Sequence, residues 1–200
     1  MKNVPDFKTG AQFLLNENIE TEVLQGEGKA FGVELLVKKN KGKLNGWLGY
    51  TYSRSYVKFD SKFGEEKINS GNYFPSNYDK PHILNFNYFL QVGPKSDLSV
   101  NFTYSTGRPT TAPISSYSNG NIRTIPIYSD RNAVSMSPSH RLDVNFTIRP
   151  KKEKRWYGEW QIGCYNLYNR AAPFRIEIQA ESRQTPNGEE ISQVYKQPGL

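Results

Sequence analysis

Two hundred residues carry one cysteine, two histidines and two methionines. A lone thiol, Cys164, excludes an internal disulfide framework, and with two distant histidines it lacks the spacing of a zinc site. No segment approaches the roughly 18 consecutive apolar residues of a membrane helix, so a helical spanning protein is excluded. The opening Met1-Lys-Asn-Val-Pro5 has no apolar stretch of the secretory kind. A mean hydropathy of -0.71 is low for a chain that must fill a closed core. A wall with water on one side needs no such core.

Acid is the scarcer charge, and the formal net charge is +7 with a pI near 9.3. Such a surplus raises nucleic acid as a partner, but recognition of that kind gathers the charge on one face or helix. Here it falls in short clusters: Lys38, Lys39, Lys41 and Lys43; Lys151, Lys152, Lys154 and Arg155; and Lys95 alone. Each cluster lies between two apolar-periodic segments. The expectation is therefore turn residues beside a membrane surface, with no nucleic-acid partner.

What the chain does have is alternation. Leu98-Ser-Val-Asn-Phe-Thr-Tyr104 changes from apolar to small polar at every step, and the pattern returns at Leu84 to Leu90 and Leu142 to Ile148. Strand side chains point to opposite faces with period two, so each run has one apolar and one wet face. Further strands are read from Phe31, with Val33, Leu35 and Val37 in phase, and over Leu44 to Phe59. The others are His82 to Val92, Leu98 to about Gly107, Arg141 to Arg149, and a sixth from near Trp156. The sixth loses phase around Asn166 to Pro173 and resumes at Phe174, Ile176 and Ile178, which reads as a bulge or kink. A seventh opens at Ile191 to Tyr195, and residues 1–27 read as the tail of an earlier strand and a loop.

The connections alternate as well. Short turns at Asn40-Lys-Gly42, Gly93 to Asp97 and Lys151 to Arg155 are separated by long polar segments, Asp60 to Pro81 and the stretch that ends near Ser139. This is how an antiparallel transmembrane β-barrel of the bacterial outer membrane reads, with short turns periplasmic and long loops extracellular. Tyr50, Tyr52, Tyr88, Tyr104 and Trp160 are the expected interfacial aromatics. Asn85, Asn87, Asn101, Asp143 and Asn145 are expected to face a lumen. A passive porin-like channel, an adhesin barrel and a soluble all-β binding module stand as alternatives.

Six phrases then stand in order: Gly28-Lys-Ala-Phe-Gly-Val-Glu-Leu-Leu36, Gly46-Trp-Leu-Gly-Tyr-Thr-Tyr-Ser53, Asn77-Tyr-Asp-Lys-Pro-His82, Ser105-Thr-Gly-Arg-Pro109, His140-Arg-Leu-Asp143 and Tyr165-Asn-Leu-Tyr-Asn169. Together they resemble the C-terminal barrel of TonB-dependent outer-membrane receptors. The likeness is to the Bacteroidetes type, whose full-length members carry an N-terminal carboxypeptidase-regulatory-like domain. The resemblance implies a 22-stranded barrel, closed by a plug, that imports a scarce nutrient (siderophore, cobalamin, glycan or peptide) without catalysis or cofactor. Residues 1–200 are then expected to be a C-terminal fragment of about six to seven strands, lacking the plug and the closing strand. The implied partners are outer-membrane lipid, the TonB complex through the plug region, and a surface lipoprotein. The implied location is the outer membrane of a Gram-negative bacterium.

His82 and His140, with Asp79, Asp143, Ser139 and Cys164 in the same sequence, invite a hydrolase reading. Both histidines start a strand after a long loop, and no triad geometry can be drawn from sequence. Ligand contact is expected instead in the long loops, at Tyr73, Tyr117, Arg123 and Tyr128, where a receptor first meets its ligand. The same residue types also serve simply to solvate and pack such loops.

Overall fold

Alternating side chains favour the extended backbone, because each strand then satisfies its N–H and C=O groups by pairing while it separates two chemistries. The computed structural model describes residues 1–8, 19–118, 124–149, 158–171, 176–184 and 190–198. It is all-β and antiparallel, with no α-helix among the described residues. The strands are β1 (Lys2–Phe7), β2 (Val23–Lys39), β3 (Leu44–Lys58), β4 (Phe74–Pro75), β5 (His82–Gly93), β6 (Ser96–Ser105), β7 (Pro109–Thr110), β8 (Pro113–Ser118), β9 (Thr124–Tyr128), β10 (Val134–Ser135), β11 (Ser139–Ile148), β12 (Trp160–Cys164), β13 (Ile176–Gln184) and β14 (Glu190–Pro198).

The main sheet runs β1, β2, β3, β5, β6, β11, β12, with β4 paired to β3. Neighbours along this path are neighbours in sequence apart from the small strands of the loops, so it is an up-and-down meander. Its two ends are unpaired, and among the described residues the sheet does not close on itself. The strands match those read from alternation, with two differences. First, β2 begins eight residues before the strict alternation, and its early part pairs with β1 from Lys2 opposite Glu27 to Phe7 opposite Val23. Residues 1–7 are thus the preceding strand that the sequence suggested.

Second, the sixth strand does not bulge and continue. β12 stops at Cys164, and Asn166 (φ 54°) and Asn169 (φ 49°) turn the chain in the left-handed region that asparagine tolerates. The Asn166 side chain closes the turn. Its Oδ1 accepts from Arg170 N at 2.9 Å, and its Nδ2 donates to Arg170 O at 3.0 Å. A side chain that bonds the local backbone in this way competes with the ladder and ends the strand. Among the described residues β13 pairs only with β14, in a separate two-stranded sheet that contains the expected Ile191 to Tyr195. Trp156, the Lys151 to Arg155 turn and Phe174 lie outside the described residues.

Register sorts the main sheet into two faces. Residues opposite one another across the strands form rows: Val37, Leu48, Phe86, Phe102, Leu142; then Leu35, Tyr50, Leu84, Tyr104, His140; and, toward the short turns, Leu44, Leu90, Leu98, Phe146, Ile162. These rows form one apolar face across six strands, and the charged residue on it between the Val33–Tyr52 pair and the Ile148–Trp160 pair is Lys39, at the end of β2 opposite Gly46. From His140 to Ile148 one strand covers it in nine residues, roughly 27 Å at the usual rise. The other face carries Asn45, Thr51, Asn85, Asn87, Ser99, Asn101, Thr103, Asp143, Asn145 and Gln161. All five asparagine and aspartate residues expected to face a lumen are on it.

Nothing in the described chain covers the apolar face. Val33 is 69% exposed, Ile162 68% and Trp160 74%. The fully buried apolar side chains are elsewhere, at the long-loop end. Leu24, Phe59, Ile68 and Phe74 pack together there with Val4 and Val57, and Ala112 and Met136 are buried nearby in the chain. The segments read as polar loops therefore hold the only packed hydrophobic cluster among the described residues.

Candidate functional site

At the long-loop end the apolar face is bordered by rings. Tyr50 Oη and His82 Nδ1 are 2.8 Å apart, the Tyr52 ring lies against His82, and His140 Nδ1 is 2.7 Å from Tyr168 Oη with Tyr104 stacked beside it. Neither histidine sits in a triad. Each is tied to a tyrosine in an aromatic belt, and among the described residues no group of three or more His, Cys, Asp or Glu is placed to hold a metal. Tyr50, Tyr52 and Tyr104 sit among these rings, and Trp160 lies opposite Ile148 toward the other end of the face. Tyr88 does not: its register row puts it near the middle of the face, stacked on Phe86 with 4.5 Å between ring centres.

Four of the six phrases have a local mechanical role. In Asn77 to His82, the buried Asp79 (3% exposed) accepts from Ser55 N at 2.7 Å and forms an ion pair with Arg54 at 3.1 Å. Pro81 O accepts from Ser53 N at 3.1 Å, which hands the loop over to β5. Asn77 Oδ1 accepts from Asn132 Nδ2 at 2.8 Å, across to the second long loop. In Ser105 to Pro109, Gly107 lies so close to Met136 O that a Cβ there would collide with it. His140 to Asp143 and Tyr165 to Asn169 interlock: His140 with Tyr168, Arg141 with the Tyr165 hydroxyl, and Asp143 Oδ1 accepting from Asn166 N at 3.0 Å.

The polar face is the concave candidate for solute contact. Arg141 and Asp143 pair at 3.0 Å, and the Arg141 guanidinium lies 4.2 Å over the Tyr165 ring. Nearer the short turns, a hollow of about 530 Å3 is lined by Gln91, Asp97, Thr147, Arg149, Glu159 and Gln161 among others. Arg149 pairs there with Asp97 and, at 3.4 Å, with Glu159. A hydrogen bond from Gln161 and the charge of Arg149 hold the Glu159 carboxyl below its ordinary range. The mixture of carboxylates, guanidinium and amides suits polar solutes or a polar protein surface.

Of the loop residues expected to touch ligand, Tyr73 and Tyr128 belong to different long loops. Tyr73 belongs to the first long loop, where its ring supports the Lys29 ammonium at 3.8 Å and lies 6.0 Å from that of Lys58. Tyr128 ends β9 in the second loop, opposite Pro113, and is exposed. Tyr117 lies on β8 opposite Ile125, and Arg123 falls outside the described residues. The ties that sequence reading missed are the asparagines. Asn69 exchanges hydrogen bonds with the Arg131 backbone at 2.8 and 2.9 Å, and Asn132 Nδ2 donates to Pro75 O at 2.8 Å. Polar, turn-forming residues in both loops were the only sign of them. No protein-family model, curated protein or solved structure matches the chain.

Proposed function

We propose that this chain is part of the wall of a bacterial outer-membrane β-barrel of the TonB-dependent receptor type, and that the whole receptor imports a scarce nutrient. The observation that carries the reading is the uncovered apolar face, continuous over six strands, backed by a face of asparagine, serine and threonine. In water such a face is a large exposed hydrophobic patch, which a soluble monomer avoids. Against lipid it is the outward side of a barrel, at a height that nine residues of tilted strand span. The aromatic belt suits the level of the lipid headgroups. An open path of strands suits a segment of a larger barrel better than a small closed one, since strand number sets diameter. The choice of receptor over passive channel rests on the six phrases and their order. In this reading the long-loop end is extracellular and the short-turn end periplasmic.

Tryptophan fluorescence separates the two faces. Trp160 is on the apolar face, whereas Trp47 is on the polar face and lies across Gly49. In lipid vesicles with brominated acyl chains, a W47F/W156F chain should be strongly quenched and a W156F/W160F chain much less. Equal quenching, or a monomer that unfolds cooperatively in buffer without lipid, would overturn the membrane reading. The coding sequence upstream of Met1 tests the receptor part. An in-frame plug domain supports it, and a stop codon followed by unrelated sequence counts against it.

A further inference from the structure

Charge is handled differently at the two ends of the sheet. At the long-loop end, cations stand beside acids: Lys8 with Glu22 and Glu66, Arg54 with Asp79, Lys58 and Lys67 with Asp60, and Arg131 with Asp6. At the short-turn end, Lys38, Lys39, Lys41, Lys43 and Lys95 have no acidic partner among the described residues, and Asp97 and Glu159 there are taken by Arg149. Backbone bonds join these turns into one rim. Gln91 N donates to Lys43 O at 2.7 Å, and Arg149 N donates to Lys95 O at 2.7 Å. The rim borders the apolar face directly, beside exposed Val37, Leu90, Val92 and Ile148.

We infer that this rim is a docking surface for anionic phospholipid headgroups, formed by Lys39, Lys41 and Lys95, whereas Lys38 and Lys43 lie on the polar side, Lys38 opposite Trp47 and Lys43 in the hollow with Gln91 and Asp97. The inference rests on the membrane reading and adds the lipid class met at the short-turn end. A lysine just past the edge of an apolar face lays its methylenes on the hydrocarbon boundary and lifts its ammonium to the headgroup level. There it meets phosphodiester oxygens, and nothing on the protein competes for it. Three such lysines on one rim make an anionic leaflet the complementary partner. At the long-loop end Lys62 and Lys80 also lack an acidic partner among the described residues, but Glu20 and Glu65 stand there without a cationic one, so the net surplus is smaller.

The test compares the full chain in neutral phosphatidylcholine vesicles with vesicles containing phosphatidylglycerol. Wild type should partition more strongly into the anionic vesicles, by about fivefold per engaged lysine, and the preference should fall as salt rises. K39Q/K41Q/K95Q should lose most of the preference, and the corresponding arginine replacements should keep it. Brominated-lipid quenching of Trp160 in neutral vesicles runs in parallel and reports membrane entry alone. If that quenching persists in wild type without any anionic preference, the lysine rim is refuted and the membrane reading stands. A preference untouched by the glutamine changes also refutes it. Displacement by inorganic phosphate beyond that caused by chloride at equal ionic strength would reveal a discrete phosphate pocket instead, and would overturn the distributed surface.

Discussion

His140 Nδ1 and Tyr168 Oη stand 2.7 Å apart, joining the start of β11 to the turn that ends β12. The bond closes the aromatic belt over the place where the ladder stops, and Leu167 N still donates to Leu142 O there at 2.8 Å. Tyr168→Phe should cost about 1 kcal/mol of stability in vesicles by urea titration. His140→Phe should cost a similar amount, and the double variant should cost less than the sum, because both remove the same bond. Simple additivity would show that the pair does not interact.

Asp79 is the anchor of the first long loop, since it takes the backbone N–H of Ser55 and the Arg54 side chain while almost fully buried. Asp79→Ala should destabilise by about 3 kcal/mol, because it strands both donors. Asp79→Asn keeps an acceptor for Ser55 and should cost less. Protease sensitivity of the segment 60–81, together with global unfolding, reads both.

Adjacent residues on β6 offer the sharpest contrast between faces. Phe102 lies in the central apolar row, and Asn101 lies between Asn87 and Asp143 on the other side. Phe102→Arg should cost about 2–4 kcal/mol in a lipid bilayer. Asn101→Arg should cost far less. Equal costs would mean that the two faces meet the same medium.

Acid should loosen the first loop through Asp60. Hydrogen bonds and charge from Lys58, then Lys67, hold its carboxyl below the ordinary range. A carboxylate depressed in the folded state stabilises above its unfolded pKa, and the effect is lost as pH falls through the lower folded value. Amide exchange of Lys67 to Gly71 should therefore quicken only below the usual carboxylate range. Asp60→Asn should show the quicker exchange already at neutral pH, without that acid step.

Gly107 admits no side chain, because a Cβ would meet the carbonyl of Met136, whose own N–H donates to Arg108 O at 3.0 Å. Gly107→Ala should separate β7 from β10 and cost about 1–3 kcal/mol. Faster proteolysis at Arg108 and Arg131 is the direct readout.

The two faces of the sheet were legible in sequence because period two is a local property that each strand declares by itself. Asn85, Asn87, Asn101, Asp143 and Asn145 needed only that count to be placed together. The turn after Cys164 was misread as a bulge. Asn166 ends the strand through its own side chain and φ, which an apolar-polar pattern does not encode. The loop cluster of Phe59, Ile68 and Phe74 was hidden for a different reason. Its members come from segments with no common period, and only the pairing of β1 with β2 and of β4 with β3 brings them near Leu24. Tyr88 has the chemistry of an interfacial residue, but its height depends on the register of the neighbouring strands. The loop residues Tyr73 and Tyr128 were picked by residue type alone, and type does not say which partner a ring has already taken.

Asn69 and Asn132 stitch one long connection to the other through four side-chain hydrogen bonds, which should couple their described parts. Segments that look like independent arms in the sequence should then share their thermal motion, and a force applied to one should be felt at the root of the other. Their ordering cost is met during folding rather than at the moment of encounter. If a molecule binds there, as proposed, it should pay a smaller entropic penalty than capture by untied loops would.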